Sequence, residues 1–175
     1  MEKNISEEVV FKGNLLKLIL RKVKINNKES YREIVYHPGA VGIIALTNDD
    51  KLILVKQFRS PIDDYLIEIP AGKLKEKEDP VECAKRELLE ETGYIGNMEK
   101  VGEFLTSPGF SNEKIHIFLC KNAEFKTDEY KHAGEIDKLI FLSVEEAFKL
   151  LLKGEIKDLK TAFSIVYLYE NYKSI

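Results

Sequence analysis

Three carboxylates crowd one short stretch, Glu87, Glu90 and Glu91, directly after Arg86 in "KRELLEETGY". On a helix Glu87 would face Glu90 at i,i+3 and Glu91 at i,i+4, and each such like-charge pair costs roughly 0.2–0.5 kcal/mol in an exposed helix. All three would sit towards the end of that helix, where the macrodipole disfavours anions. A hard divalent cation reverses the sign of these terms, because Mg²⁺ takes carboxylate oxygens and completes its shell with water and substrate phosphates. Two or three carboxylates on one rigid face can hold one or two such ions against a diphosphate. Arg86 lies one turn from Glu82 and from Glu90, and is expected to orient a neighbouring carboxylate without touching substrate. The competing reading is a solvated acidic helix in which Arg86 pairs across one turn with Glu82 or Glu90. The residues of the helix alone leave the two open.

The elements around it can be read from local signals. Asp79-Pro80 with Glu82 supplies an N-cap, a proline at the first helical position and a capping-box acid, and Gly93 closes the helix. Val81, Ala84 and Leu88 would form its buried side. Before it, "NLLKLILRKVKI", "SYREIVYH", "AVGIIALT" and "LILVKQF" read as strands. "NNK" reads as a turn, and "NDDK" as the turn of a probable hairpin between the last two strands. After it, "MEKVGEFLT", "EKIHIFLC" and "KLIFLS" are expected to be strands. Ser143 with Glu146 caps a second helix ending at Gly154. Asp158 to about Tyr172 reads as a third, with Leu159, Ala162, Phe163, Val166 and Tyr167 as its apolar face. The pattern is α+β: a mixed, largely antiparallel sheet packed by helices.

Bulk properties narrow the function classes. A chain of 175 residues with 44% apolar residues suits one globular domain with at most a small N-terminal attachment. The formal charge of −3, with basic and acidic residues intermixed, gives no footprint for nucleic-acid binding. Cys83 and Cys120 fit no CxxC or Cys/His pattern and are expected to be buried small hydrophobes. "MEKNISEEVVFKG" lacks a basic start followed by an apolar core, and no apolar run reaches bilayer length, so no membrane association is expected. A reducing cytoplasm is the expected location.

Gly72, Glu78, Arg86, Glu87, Leu88, Glu90, Glu91 and Gly93 reproduce the spacing of the Nudix box, and only its last, aliphatic position departs, being Tyr94. This many fixed positions is a specific signal. The chain thereby resembles the Nudix hydrolase family, which implies a Nudix fold, an α/β/α sandwich with a mixed sheet. Here an N-terminal antiparallel strand extension is added. The division expected is residues 1–37 as the extension, a possible dimerisation element, and 38–175 as the hydrolase domain.

Four further stretches resemble the ADP-ribose pyrophosphatase branch of the family: "YREIVYHPGAVGIIAL", "LVKQFRSPIDDYLIEIPAGKL", "TSPGFSNE" and "LSVEEAFKLLLKGEIKDLKTAFSIVYL". The marker proline of that branch falls on Pro108. The resemblance implies metal ligation by Glu87, Glu91 and the Ala71 main-chain carbonyl, with Glu90 assisting. It gives Arg59 to the diphosphate, Arg32 and Glu33 to diphosphate and base edge, and Glu68 to a supporting role. The general base corresponds to Glu135, counted back from "FLS", with Glu91 and Glu113 as alternates; the acidic run usual before it is replaced by Lys131, His132, Ala133 and Gly134. There is no Trp to stack on adenine, and Tyr31 and Tyr36 are the nearest aromatics. His37, His116 and His132 read as structural or surface residues.

The activity so implied is Mg²⁺-dependent (or Mn²⁺-dependent) hydrolysis of ADP-ribose or a related nucleoside diphosphate sugar, by a homodimer whose N-terminal strands help to build the partner's site. The alternatives are a Nudix hydrolase for another nucleoside diphosphate derivative and a non-catalytic Nudix-fold module that binds a nucleotide.

Overall fold

The computed structural model describes residues 1–128 and 136–171. Three strands, β1 (Lys3–Lys12), β2 (Lys17–Ile25) and β3 (Lys28–Tyr36), form a separate antiparallel sheet in that order. Asn26 and Asn27 both have positive φ, 48° and 63°, which is the two-residue turn that matches the twist of a hairpin. β1, absent from the sequence reading, is exposed along its whole length.

The second sheet contains β4 (Ala40–Thr47), β5 (Leu52–Arg59), β6 (Asp64–Glu68), β7 (Ala71–Lys73), β8 (Tyr94–Ile95), β9 (Glu99–Leu105), β10 (Lys114–Phe125) and β11 (Ile136–Leu142). Its backbone order is β11-β5-β4-β10-β8, with β6 on β5, β7 on β4 and β9 on β10. Only β4 with β10 is parallel, from Ile115↔Ala40 to Ala123↔Thr47, so the sheet is mixed. The expected hairpin between β4 and β5 closes through Thr47 N–H to Lys51 O at 2.9 Å. Beyond Leu46↔Leu52 the strands then diverge to other partners. That divergence opens the sheet beside β7.

Helices α1 (Pro80–Thr92), α2 (Val144–Leu152) and α3 (Leu159–Asn171) complete the fold. β4 is buried on both sides, which explains its unbroken apolar run. Val41, Ile43 and Ala45 pack with Cys83, Ala84 and Leu88 of α1. Ile44 and Leu46 pack on the other face with Ala147, Ile165 and Leu168 of α2 and α3. The result is the α/β/α sandwich expected. Both cysteines are free and buried.

Two local expectations need correction. Asp79 alone caps α1, accepting from Val81 N–H at 2.8 Å, while the Glu82 side chain pairs with Lys85; the full capping box occurs instead at Ser143 and Glu146. The fully buried face of α3 is Thr161, Ser164, Ile165 and Leu168; of the expected apolar face, Ala162, Phe163 and Tyr167 do pack against the same core, whereas Leu159 and Val166 are exposed. Thr161 and Ser164 tolerate burial because their hydroxyls are bonded, to Asp158 at 2.5 Å and to the Lys160 carbonyl at 2.7 Å.

Candidate active site

β7 runs directly beside the second half of α1, and the contact is close enough that any side chain at Gly72 would have to displace the Glu87 side chain. A Cβ there would lie 1.9 Å from Glu87 Cδ. The neighbouring Ala71 N–H donates to Glu91 Oε2 at 2.9 Å. The tight bend Ile69-Pro70-Ala71 is held from both sides, since Ile43 N–H donates to the Pro70 carbonyl at 2.8 Å and Ile69 N–H to Thr161 Oγ1 at 2.9 Å.

Arg86 organises the acidic arc. Its Nε and Nη2 bind the two oxygens of Glu78 at 2.9 and 3.0 Å, and Nη1 reaches Glu87 Oε1 at 2.6 Å and Glu90 Oε2 at 3.1 Å. Of the partners expected from helical spacing, Glu90 is correct and Glu82 is replaced by Glu78, brought back by the loop before the helix. Arg86 holds the Glu78 carboxyl down at about 2. Burial lifts the Glu87 carboxyl despite Arg86. Burial, reinforced by the Glu87 charge, pushes Glu91 up to about 8 against the Ala71 hydrogen bond.

A second wall carries cations. Arg59 forks onto Glu68, Nε to Oε1 at 2.7 Å and Nη2 to Oε2 at 2.6 Å. Lys160 Nζ also bonds Glu68 Oε2 and lies 3.0 Å from Asp158 Oδ1. Burial would raise the Glu68 carboxyl, but Arg59 and Lys160 together hold it low. A third wall is the loop after β9. Glu113 accepts from Thr106 Oγ1 at 2.7 Å and sits 3.5 Å from His37 Nδ1. Asn112 bridges that loop to the end of β3 through His37 N–H at 2.8 Å.

These walls enclose a cavity of about 1110 Å³. Of the residues singled out in the sequence, Ala71, Glu87, Glu90, Glu91, Arg59 and Glu113 line it. Pro108 is exposed and lies outside the lining, where Thr106 and Ser107 stand instead. Arg32 and Glu33 sit on the separate N-terminal sheet, Arg32 bonded to Glu2 at 2.5 Å, and neither reaches the cavity within one chain. On the same sheet Tyr36 takes a hydrogen bond from Arg21 and Tyr31 is exposed. Glu135 and His132 lie outside the described residues. Sequence reasoning missed Lys160, Asp158, Thr161 and Gln57; the amide nitrogen of Gln57, which lines the cavity, is buried with no partner among the described residues. The only signal near them was Asp158 as the expected start of the third helix.

Among the described residues no three His, Cys, Asp or Glu side chains converge as a preformed metal cluster. Glu87 turns to Arg86, and Glu91 to the Ala71 N–H. The donor set still suits a hard divalent cation. It is all oxygen, carboxylate and main-chain carbonyl, Glu91 is a half-buried acid with one oxygen uncommitted among the described residues, and Gly72 makes room for Glu87. Nudix hydrolases in general depend on divalent metals.

Comparison with known proteins agrees with this geometry. The chain is 42% identical over 170 residues to an ADP-ribose pyrophosphatase of Bacillus subtilis (strain 168), covering 95% of this chain and 92% of that protein. It is 42% identical over 174 residues to a methanol dehydrogenase activator of Bacillus methanolicus, with the same coverage. The crystal structure of an ADP compounds hydrolase superposes with a TM-score of 0.85 at 18% identity, covering 98% of this chain and 94% of that one, which speaks for the fold. The NUDIX domain model matches residues 36–163, from the last strand of the N-terminal sheet to the middle of α3. With most of the chain inside that match and Gly72, Glu87, Glu90 and Glu91 of the box on one cavity, the chain belongs to the Nudix family.

Proposed function

We propose that this protein hydrolyses ADP-ribose to AMP and ribose 5-phosphate, water adding across the P–O–P bond. The observation that carries the reading is that the Glu87–Glu91 pair and Arg59 line one cavity. Anionic phosphates fit between a cation wall and carboxylates that call for a cation. The similarity to an ADP-ribose pyrophosphatase supports the substrate.

In this reading Glu87, Glu91 and the Ala71 carbonyl, with Glu90 assisting, hold Mg²⁺ or Mn²⁺. The bound ion would neutralise the diphosphate and lower the pKa of an attacking water. Arg59 grips the diphosphate, its planar fork matching two phosphate oxygens. A carboxylate takes the water's proton: Glu135 is first choice, with Glu113 and Glu91 as alternates. Glu113 is fixed by Thr106 at the cavity, whereas Glu91, as a metal ligand, is the less suited of the two. Arg86 keeps Glu87 and Glu90 oriented and stays off the substrate. Purified protein with Mg²⁺ should release AMP from ADP-ribose, and Glu91→Gln should nearly abolish it. Unchanged turnover in that variant would remove the metal-site assignment, and preferential cleavage of another nucleotide sugar in a panel would replace the substrate.

We further propose that residues 1–37 form a dimerisation extension to the hydrolase domain 38–175, with Arg32 and Glu33 serving the partner's cavity, and that Pro108 shapes the substrate loop. Ile5, Val9, Val10 and Phe11 of β1 are all exposed in the single chain, which supports a covering partner. Sedimentation showing only monomer would remove this. Among the described residues no helix is long and apolar enough to cross a membrane, and two free buried thiols fit a reducing cytoplasm. A second reading, action on another protein, is favoured by the relative that is an activator at equal identity. A panel of dehydrogenases assayed with and without Glu91→Gln protein would separate it from hydrolysis.

A further inference from the structure

We infer that Lys160 is a positioning residue that keeps Glu68 paired while Arg59 leaves it for the substrate diphosphate; this rests on the diphosphate reading above. Glu68 ends β6 and is 1% exposed. It receives two cations where charge balance needs one. Arg59 takes both oxygens, and Lys160 shares Oε2. The two cations are not held alike. Arg59 pairs only with Glu68 among the described residues, and its side chain is 37% exposed. Lys160 is 15% exposed and lies between two carboxylates, Glu68 and Asp158. Asp158 is itself fixed, its Oδ2 accepting from Thr161 N–H at 2.9 Å and Thr161 Oγ1 at 2.5 Å.

This asymmetry decides which cation moves. If Arg59 were the sole partner, its swing towards a phosphate would strand a buried carboxylate, a loss on the order of a hundredfold or more in an equilibrium constant. With Lys160 in place, Glu68 keeps a hydrogen-bonded counter-charge throughout, and Arg59 binds substrate at little cost. Lys160 has no charge to spare for phosphate, because two carboxylates already engage it. Its effect therefore falls on substrate binding through Arg59 and leaves the chemical step alone.

The test compares wild type, K160M, K160R, E68Q and E68Q/K160M as full chains with Mg²⁺. K160M should raise KM for ADP-ribose about tenfold or more and change kcat by less than about threefold, and K160R should restore KM. In the E68Q background K160M should add nothing, since a neutral amide needs no cation. Unchanged KM in K160M, an effect confined to kcat, or the same rise in the E68Q background would each overturn the role. Should K160M fail to fold, E68Q/K160M decides alone, and a KM well above that of E68Q overturns it. Calorimetric binding of magnesium pyrophosphate gives the same comparison without turnover. Wild type that binds pyrophosphate but leaves ADP-ribose intact would sink the substrate reading, while the loss of pyrophosphate affinity in K160M would still report on Lys160.

Discussion

Gly72 and Glu87 occupy the same space: a side chain on one removes the other, because a Cβ at Gly72 would stand 1.9 Å from Glu87 Cδ and 2.1 Å from its Oε1. The box glycine is therefore a steric requirement of the box glutamate. Gly72→Ala should displace Glu87 and lower kcat/KM about a hundredfold, the scale expected when a catalytic group shifts by about 1 Å. Steady-state kinetics with Mg²⁺ checks this, and a Gly72→Ala protein within threefold of wild type (about 0.7 kcal/mol in barrier height) would contradict it.

Glu91 should give the metal-free protein a distinctive pH dependence. Burial first, then the Glu87 charge, raises its carboxyl from 4.5 to about 8. The folded chain thus keeps a proton that the unfolded chain has already released. Between those two values the native state binds more protons, so this contribution to stability is present below about 4.5 and is lost as the pH rises towards about 8. Urea midpoints measured across that window should fall with pH in wild type and fall less in Glu91→Gln. Saturating Mg²⁺ should flatten the wild-type curve, since binding releases roughly one proton per site near neutral pH. Identical slopes in the two proteins would refute the assignment.

Arg86 touches Glu78, Glu87 and Glu90 at once, and a planar five-donor fork is needed to reach all three. Lysine has one amine and cannot span them. Arg86→Lys should lower the Tm by roughly 3–8 °C, from about 2 kcal/mol of lost charged hydrogen bonding. It should lower kcat more than it raises KM, because in the proposed mechanism the affected carboxylates would hold the ion and not the sugar. Calorimetry and kinetics on the same preparation test both halves.

The parts that were legible in the sequence rest on local chemistry. Asp79, Pro80 and Gly93 bound α1 by caps that act within one turn, and the unbroken "AVGIIALT" marks a strand buried on both faces. What could not be read depends on contacts distant in sequence. Glu78 displaces Glu82 as the partner of Arg86 only because the preceding loop folds back. Thr161 and Ser164 look polar by composition, yet bonded hydroxyls let them face the core, which shifts the centre of the inner face of α3 to one side of the expected Ala162, Phe163 and Tyr167. Lys160 reads as one surface lysine among many until Glu68, 92 residues earlier, is brought beside it. Arg32 and Glu33 line no cavity within one chain, so the sequence pattern alone could not place them at a site.

Thr161 joins α3 to the bend that carries Ala71. Its hydroxyl donates to Asp158 at 2.5 Å and accepts Ile69 N–H at 2.9 Å, and the residue is fully buried. Thr161→Val keeps the shape and removes both bonds, leaving the Ile69 N–H unsatisfied in the core at about 1–3 kcal/mol. The bend two residues before Ala71 then loses one of its two anchors, while Ile43 N–H to the Pro70 carbonyl remains. The expected result is a lower urea midpoint and a fall in kcat with a raised Mg²⁺ requirement, because the Ala71 side of the proposed metal site would no longer be held in register with Glu91. Thr161→Ser should recover most of both, since it restores the hydroxyl without the methyl. Loss of stability with an unchanged Mg²⁺ requirement would mean that Thr161 supports the fold and not the site.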